Sequence, residues 1–150
     1  YFTEWLTNNR QKGILSLESD SLRNANFNPT VHILSKNKEK NIHLRDSIVL
    51  AKIIESEKEV SKTKLRYITK QHVPEVEAFV HDGDIIAIVT SISGLDIVHT
   101  GIAVKKNNRL FMVHASSTAR KVVVTDVPLS EYLQQNTSFL GIVVARLNGN

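Results

Sequence analysis

The sequence contains no cysteine. That excludes disulfides, thiolate metal sites and a cysteine nucleophile within these residues. No apolar run approaches the ~18 residues that a membrane-crossing helix needs. The chain opens Tyr1-Phe2-Thr3-Glu4-Trp5, with no initiator Met and no charged-then-apolar leader, which fits a trimmed or partial chain. Aromatic residues are 6% of the composition and form no platform between Lys36 and Lys70, where ten Lys or Arg stand against five Asp or Glu. The formal net charge of +4 is therefore read as a solvated face, with Glu55, Glu57 and Glu59 interleaved, and no nucleic-acid partner is expected. What remains is globular: 41% hydrophobic and 23% charged residues, enough for one domain with a real core.

The pattern changes near residue 80. Residues 1–80 read as helix and loop, and 81–150 as strands. Thr3 can cap a helix running through Asn9 and ending near Gly13. Ser16 to Lys40 is polar, with Asn24, Asn26, Asn28 and Pro29, and reads as a long connection holding one short strand at Thr30–Leu34. Asp46 or Ser47 starts a helix whose apolar stripe is Val49, Leu50, Ile53 and Ile54, with Lys52, Glu55 and Glu57 opposite. It fades near Val60. Pro74 opens a single turn to Phe79, and His81-Asp82-Gly83-Asp84 reverses the chain. Strands follow at Ile85–Thr90, Ile97–Val104, Arg109–Ala115, Val122–Asp126 and Phe139–Leu147, with a short helix from Pro128 to Gln134. The predicted class is α+β with an antiparallel sheet.

The hairpin carries the chemistry. If it turns on Asn107-Asn108, Gly101 faces His114 and His99 faces Ser116, so these four share one face. The imidazoles are then diagonal neighbours, and Gly101 leaves room for a ring to lean across. Ile97, Ala103, Leu110 and Met112 lie on that same face and need an apolar cover. Val98, Ile102, Val104, Phe111, Val113 and Ala115, on the other face, read as core. Three roles for the histidines stay open: His99 as base with His114 as orienter, a metal pair whose only nearby third ligand is Asp96, or satisfied structural residues. His32, His43, His72 and His81 read as surface residues.

Three segments carry a resemblance: Gly83-Asp84-Ile85-Ile86, Gly94-Leu95-Asp96-Ile97-Val98-His99-Thr100-Gly101-Ile102, and Met112-Val113-His114-Ala115-Ser116-Ser117. In order and spacing they are similar to the NlpC-type papain-like cell-wall hydrolases. Tyr1-Phe2-Thr3-Glu4-Trp5, Phe27-Asn28-Pro29-Thr30 and Leu129-Ser130-Glu131-Tyr132 resemble one branch, the N-acetylmuramoyl-L-alanine amidase-like family. The resemblance implies a papain-like sheet with packed helices, incomplete at its N-terminus.

By that resemblance His99 matches the general base, His114 the third member of a triad, and Asp84 with Gly83 the strand that positions the site. Gly101 shapes it. Ser116, Ser117 and Asp96 are candidate substrate contacts, and Tyr1, Phe2 and Trp5 are read either as a sugar-binding wall or as core. The implied nucleophile is a cysteine at a helix N-terminus upstream, and nothing in this chain matches it. The implied substrate is a muropeptide, cut between N-acetylmuramic acid and L-alanine. The alternatives are a cut between γ-D-glutamate and the diamino acid, or a non-catalytic domain that binds muropeptides or a protein. The implied location is the bacterial envelope, periplasmic or secreted. No cofactor and no metal are expected. The missing cysteine helix is expected to cover the histidine face, leaving Ile97, Ala103, Leu110 and Met112 exposed without it. An upstream segment or a second copy of the chain would then pack there.

Overall fold

In a computed structural model that describes residues 1–22 and 25–149, one eight-stranded sheet organises the chain. Its strands are β1 (Leu15–Leu17), β2 (Ala25–Phe27), β3 (Leu65–Thr69), β4 (Ile85–Thr90), β5 (Ile97–Lys106), β6 (Arg109–Ser116), β7 (Lys121–Val124) and β8 (Phe139–Leu147). The order is β2-β3-β8-β4-β5-β6-β7, and β1 also pairs with β8. Every ladder between these strands is antiparallel. The α+β class is as the sequence predicts.

The β5–β6 hairpin turns where expected. Asn107 and Asn108 have φ of 50° and 60°, the left-handed pair that a two-residue hairpin turn needs and that asparagine tolerates. The register is Ile102 opposite Val113 and Val104 opposite Phe111. A one-residue irregularity departs from simple alternation: Ile88 faces His99 but Val89 faces Ile97. The extra residue is Val98, which turns inward beside His99, while Ile97 joins the opposite face.

The assignment of faces is reversed from the sequence reading. Ala103, Leu110 and Met112 are buried, packed with Ile86 and Ile88 against Val73 and Val76 of α4 (Val73–Val76) and Leu129 and Leu133 of α5 (Leu129–Gln134). Ile97 is buried as well, in the core beneath Leu6 of α1 (Phe2–Gln11). None of the four is exposed, because the chain's own helices supply the cover. The surface expected to be core is the open one: Ile102 is 43% exposed and Ala115 is exposed too. Both faces of β5 and β6 are apolar in sequence, so alternation alone could not rank them.

Residues before 80 are less purely helical than expected. β1 and β3 both pair with the free edge of β8, and β2 extends that edge. Of Thr30–Leu34, only Val31 makes a bridge, to Gly94, and a short helix α2 (Ile33–Lys36) follows. Asn24 lies outside the described residues. In α1, Thr3 is not the cap but a buried first-turn residue, and its backbone N–H donates to Asp96 Oδ2 at 2.8 Å. An orphan helix N–H buried against the sheet needs such an acceptor, and a carboxylate at a helix N-terminus is also favoured by the dipole.

The helix α3 (Ser47–Lys62) is capped by Asp46, whose side chain accepts from Ile48 N and Val49 N, as expected. Its buried face is not the expected stripe. Glu57 and Val60 are buried, whereas Val49 and Ile54 are exposed. Glu57 accepts from Tyr1 Oη at 2.7 Å and Ser35 N at 3.1 Å, which anchors the C-terminal half of α3 rather than its apolar stripe.

Candidate active site

His99 projects from β5 next to the Val98 bulge, and His114 from β6. Their rings meet edge to face, with His99 Nε2 and His114 Nδ1 2.8 Å apart. One ring donates and the other accepts. His114 is buried, against the Tyr132 ring of α5 at 5.7 Å between centroids. His99 is half-buried, and its pKa is held below the usual 6.5, first by burial and then by the charge of His114. His99 Nδ1 has no hydrogen bond among the described residues. It is the ring position left for a reacting group.

The strands part at this point. The β5–β6 ladder runs from Lys106–Arg109 to Ile102–Val113 and stops, while His99 stays paired to β4 and His114 to β7. The opening lies at the histidine end of the hairpin. Two cavities meet there, and His114 lines both. One, about 410 Å³, is an apolar groove walled by Phe2, Trp5, Ile85, Ile102, Val113 and Val122. The other, about 550 Å³, lies on the α5 side and mixes polar side chains with Val123, Val124 and Val127.

Gly101 shapes the site differently from the expectation. A Cβ there would fall 2.6 Å from Val113 O and 2.7 Å from Met112 Sδ. The space above Gly101 is taken by Met112 and the neighbouring backbone, not by a leaning imidazole. Gly101→Ala should destabilise the fold by about 1–3 kcal/mol through overpacking, read as a lower urea midpoint at unchanged slope. An unchanged midpoint would show that Met112 yields freely.

The other candidates divide. Trp5 is exposed and stacks on Phe2 at 5.1 Å in the apolar groove. Tyr1 is tied to Glu57, and burial together with that bond raises its pKa. Ser116 lines the cavity on the α5 side, but its Oγ already accepts from Ala119 N at 3.1 Å. Ser117 is exposed in the following turn. Asp96, 1% exposed, is occupied by Thr3 N. Asp84 accepts from His81 N and forks onto Arg146, with Nε–Oδ1 2.8 Å and an Nη2–Oδ2 contact of 2.7 Å, tying the start of β4 to β8. His72, expected at the surface, is half-buried and shares a 2.8 Å hydrogen bond with Thr69 Oγ1. Tyr132 and Lys121 line the cavity on the α5 side without having been singled out by their own chemistry. For Tyr132 the only signal was its place in a family motif. Among the described residues no group of three or more His, Cys, Asp or Glu is disposed to hold a metal ion.

Residues 1–142 match the model of the N-acetylmuramoyl-L-alanine amidase-like family. The chain belongs to that family. A crystal structure of an N-acetylmuramoyl-L-alanine amidase from Bacteroides uniformis superposes with a TM-score of 0.93 at 34% identity, covering 99% of this chain and 64% of that one. A Bacteroides fragilis protein provisionally assigned as a xylanase gives 0.91 at 31% identity, over 98% of this chain and 65% of that one. A Legionella pneumophila protein gives 0.65 at 23% identity, over 97% and 60%, a likeness of fold alone. No curated protein matches. This member of the amidase-like family thus spans slightly less than two thirds of the solved relatives' length.

Proposed function

We propose that this chain is the histidine-bearing, C-terminal part of one papain-like cysteine amidase domain that cleaves the N-acetylmuramoyl-L-alanine bond of muropeptides in the bacterial envelope. The observation that carries the reading is the His99–His114 pair, joined at 2.8 Å with His99 Nδ1 left unbonded. For Nδ1 to accept a proton, His99 must hold its own proton on Nε2 and donate it to His114 Nδ1. His114 then fixes the tautomer of the base and keeps that bond when His99 becomes imidazolium.

In this reading the nucleophile is a cysteine on a segment outside these residues. Its thiol passes a proton to His99, and the thiolate attacks the lactyl carbonyl carbon of the muramic acid. The tetrahedral intermediate collapses as the His99 imidazolium protonates the departing L-alanine nitrogen. Water, deprotonated by His99, then hydrolyses the thioester and frees the muramyl carboxylate.

The histidine face cannot receive that segment, because α4 and α5 already cover it. The apolar groove of Phe2, Trp5, Ile102, Val113 and Val122 can. It is exposed, it runs to His114, and it opens where β5 and β6 part. About a third of each solved relative lies outside the match, enough chain to fill it. If that segment fills the groove, Trp5 packs against protein; where the groove stays open, its exposed ring can face a pyranose.

Glycoside hydrolysis fits less well. It needs two carboxylates flanking the bond, and Asp126 is the single carboxylate in the two cavities. Mass analysis of muropeptide digested by the complete protein tests the proposal. Release of an intact stem peptide starting at L-alanine is expected. Sugar still carrying L-alanyl-D-glutamate would assign the γ-D-glutamyl bond instead, and no cleavage would leave a binding domain.

A further inference from the structure

The cavity on the α5 side of His114 is walled partly by Val123, Val124 and Val127, but unlike the apolar groove it also holds charged and amide side chains. Its walls include Thr118, Lys121, Asp126, Tyr132 and Gln135. Its framework is held by bonds that are already made. Ser116 Oγ accepts from Ala119 N and closes the turn between β6 and β7, where Arg120 has a φ of 52°. Lys121 pairs across the ladder with Ser116. Thr125 N donates to Met112 O at 3.0 Å, and Thr125 Oγ1 accepts from Met112 N at 3.3 Å, which pins the backbone that carries Asp126. The Lys121 ammonium, the Asp126 carboxylate and the Gln135 amide, by contrast, have no ion pair or side-chain hydrogen bond among the described residues.

An exposed lysine or aspartate on a flat surface is ordinarily just solvated. These two sit in one concavity of a size typical for small-ligand sites, on fixed backbone, with a buried histidine of the candidate active site as a shared wall. One cation, one anion and an amide, among hydroxyls, suit a ligand that carries both charges and amide groups. An apolar ligand would leave them unpaired, and a phosphate would meet Asp126.

We infer that this cavity binds the peptide side of the substrate: a short peptide whose free carboxylate pairs with Lys121 and whose ammonium or amide donors meet Asp126 and Gln135. The inference rests on the amidase reading and adds to it a direction. The stem peptide lies on the α5 side of His114, away from the apolar groove.

The test is a titration of this 150-residue chain with the tripeptide L-alanyl-γ-D-glutamyl-diaminopimelate, followed by amide NMR. Shifts centred on Lys121, Asp126 and Gln135 are expected. Lys121→Glu should weaken binding about tenfold or more, as loss of a charge-assisted bond implies, while Lys121→Arg should bind like the parent. Unperturbed resonances at these three residues, or equal affinity of Lys121→Glu, would overturn the subsite. The complete protein separates the two readings. Muropeptide cleavage with an unchanged KM in Lys121→Glu would sink the subsite and leave the amidase. Lys121-dependent tripeptide binding without any cleavage by the complete protein would keep the subsite and sink the amidase.

Discussion

His99→Ala in the complete protein should lower kcat for muropeptide hydrolysis by about 10²–10⁴-fold, the usual contribution of a positioned acid–base group. Without it the thiol has no proton acceptor and the departing amine no donor. The loss should fall on kcat, since the ring is not needed to hold either half of the substrate. Folding stability should change little. His99 is half-buried, and its one ring hydrogen bond, to His114, contributes only about 1 kcal/mol net. Near-parental turnover in a folded variant would remove His99 from the reaction. A fall in turnover that tracks a fall in stability would reduce it to a structural histidine.

The second large effect concerns His114, which acts on the reaction through His99. His114→Ala should lower kcat by about 10²-fold or more, because a base held in the wrong tautomer is nearly as inactive as a missing one. Activity alone would not separate positioning from packing, so the pH dependence matters. Burial, then the charge of His114, depress the His99 pKa below 6.5. A depressed histidine binds its proton less tightly folded than unfolded. Its contribution to stability is therefore whole above about 6.5 and is lost as pH falls from there through the lower folded value. The His99 ring should titrate below 6.5 by NMR in this chain, and His114→Ala should move that midpoint upward as the neighbouring charge disappears. A His99 midpoint at or above 6.5, or one indifferent to His114, would contradict the coupling.

Much of this site was legible in the sequence, and the reason is local. Asn107-Asn108 fixes a two-residue turn, the turn fixes the register, and the register puts His99 and His114 on one face. The bulge at Val98 could not be read, since an extra residue in a run of apolar side chains leaves no compositional mark. It moved Ile97 to the opposite core without disturbing His99.

Which face of the hairpin is buried was misread for a related reason. Both faces of β5 and β6 are apolar, and the decision belongs to α4 and α5, whose packing no periodicity in the strands encodes. The same limit applies to α3, where an apolar stripe stands exposed while Glu57 is buried to receive Tyr1 and Ser35. β1 and β2, three residues each, are too short to show alternation, and their pairing is set by distant strands, β8 for β1 and β3 for β2. The role of Asp96 was not legible, because its partner Thr3 N is far away in sequence.

In the proposed reaction a thiolate from outside these residues works with His99 on the muramyl amide. The muropeptide digestion, quenched in acid during turnover and analysed by mass spectrometry of the intact complete protein, addresses it directly. A transient adduct with the mass of the muramyl acyl group, on a cysteine, is expected, and it should form more slowly in His99→Ala. Turnover that survives complete alkylation of the thiols, or hydrolysis by the present cysteine-free chain alone, would contradict it.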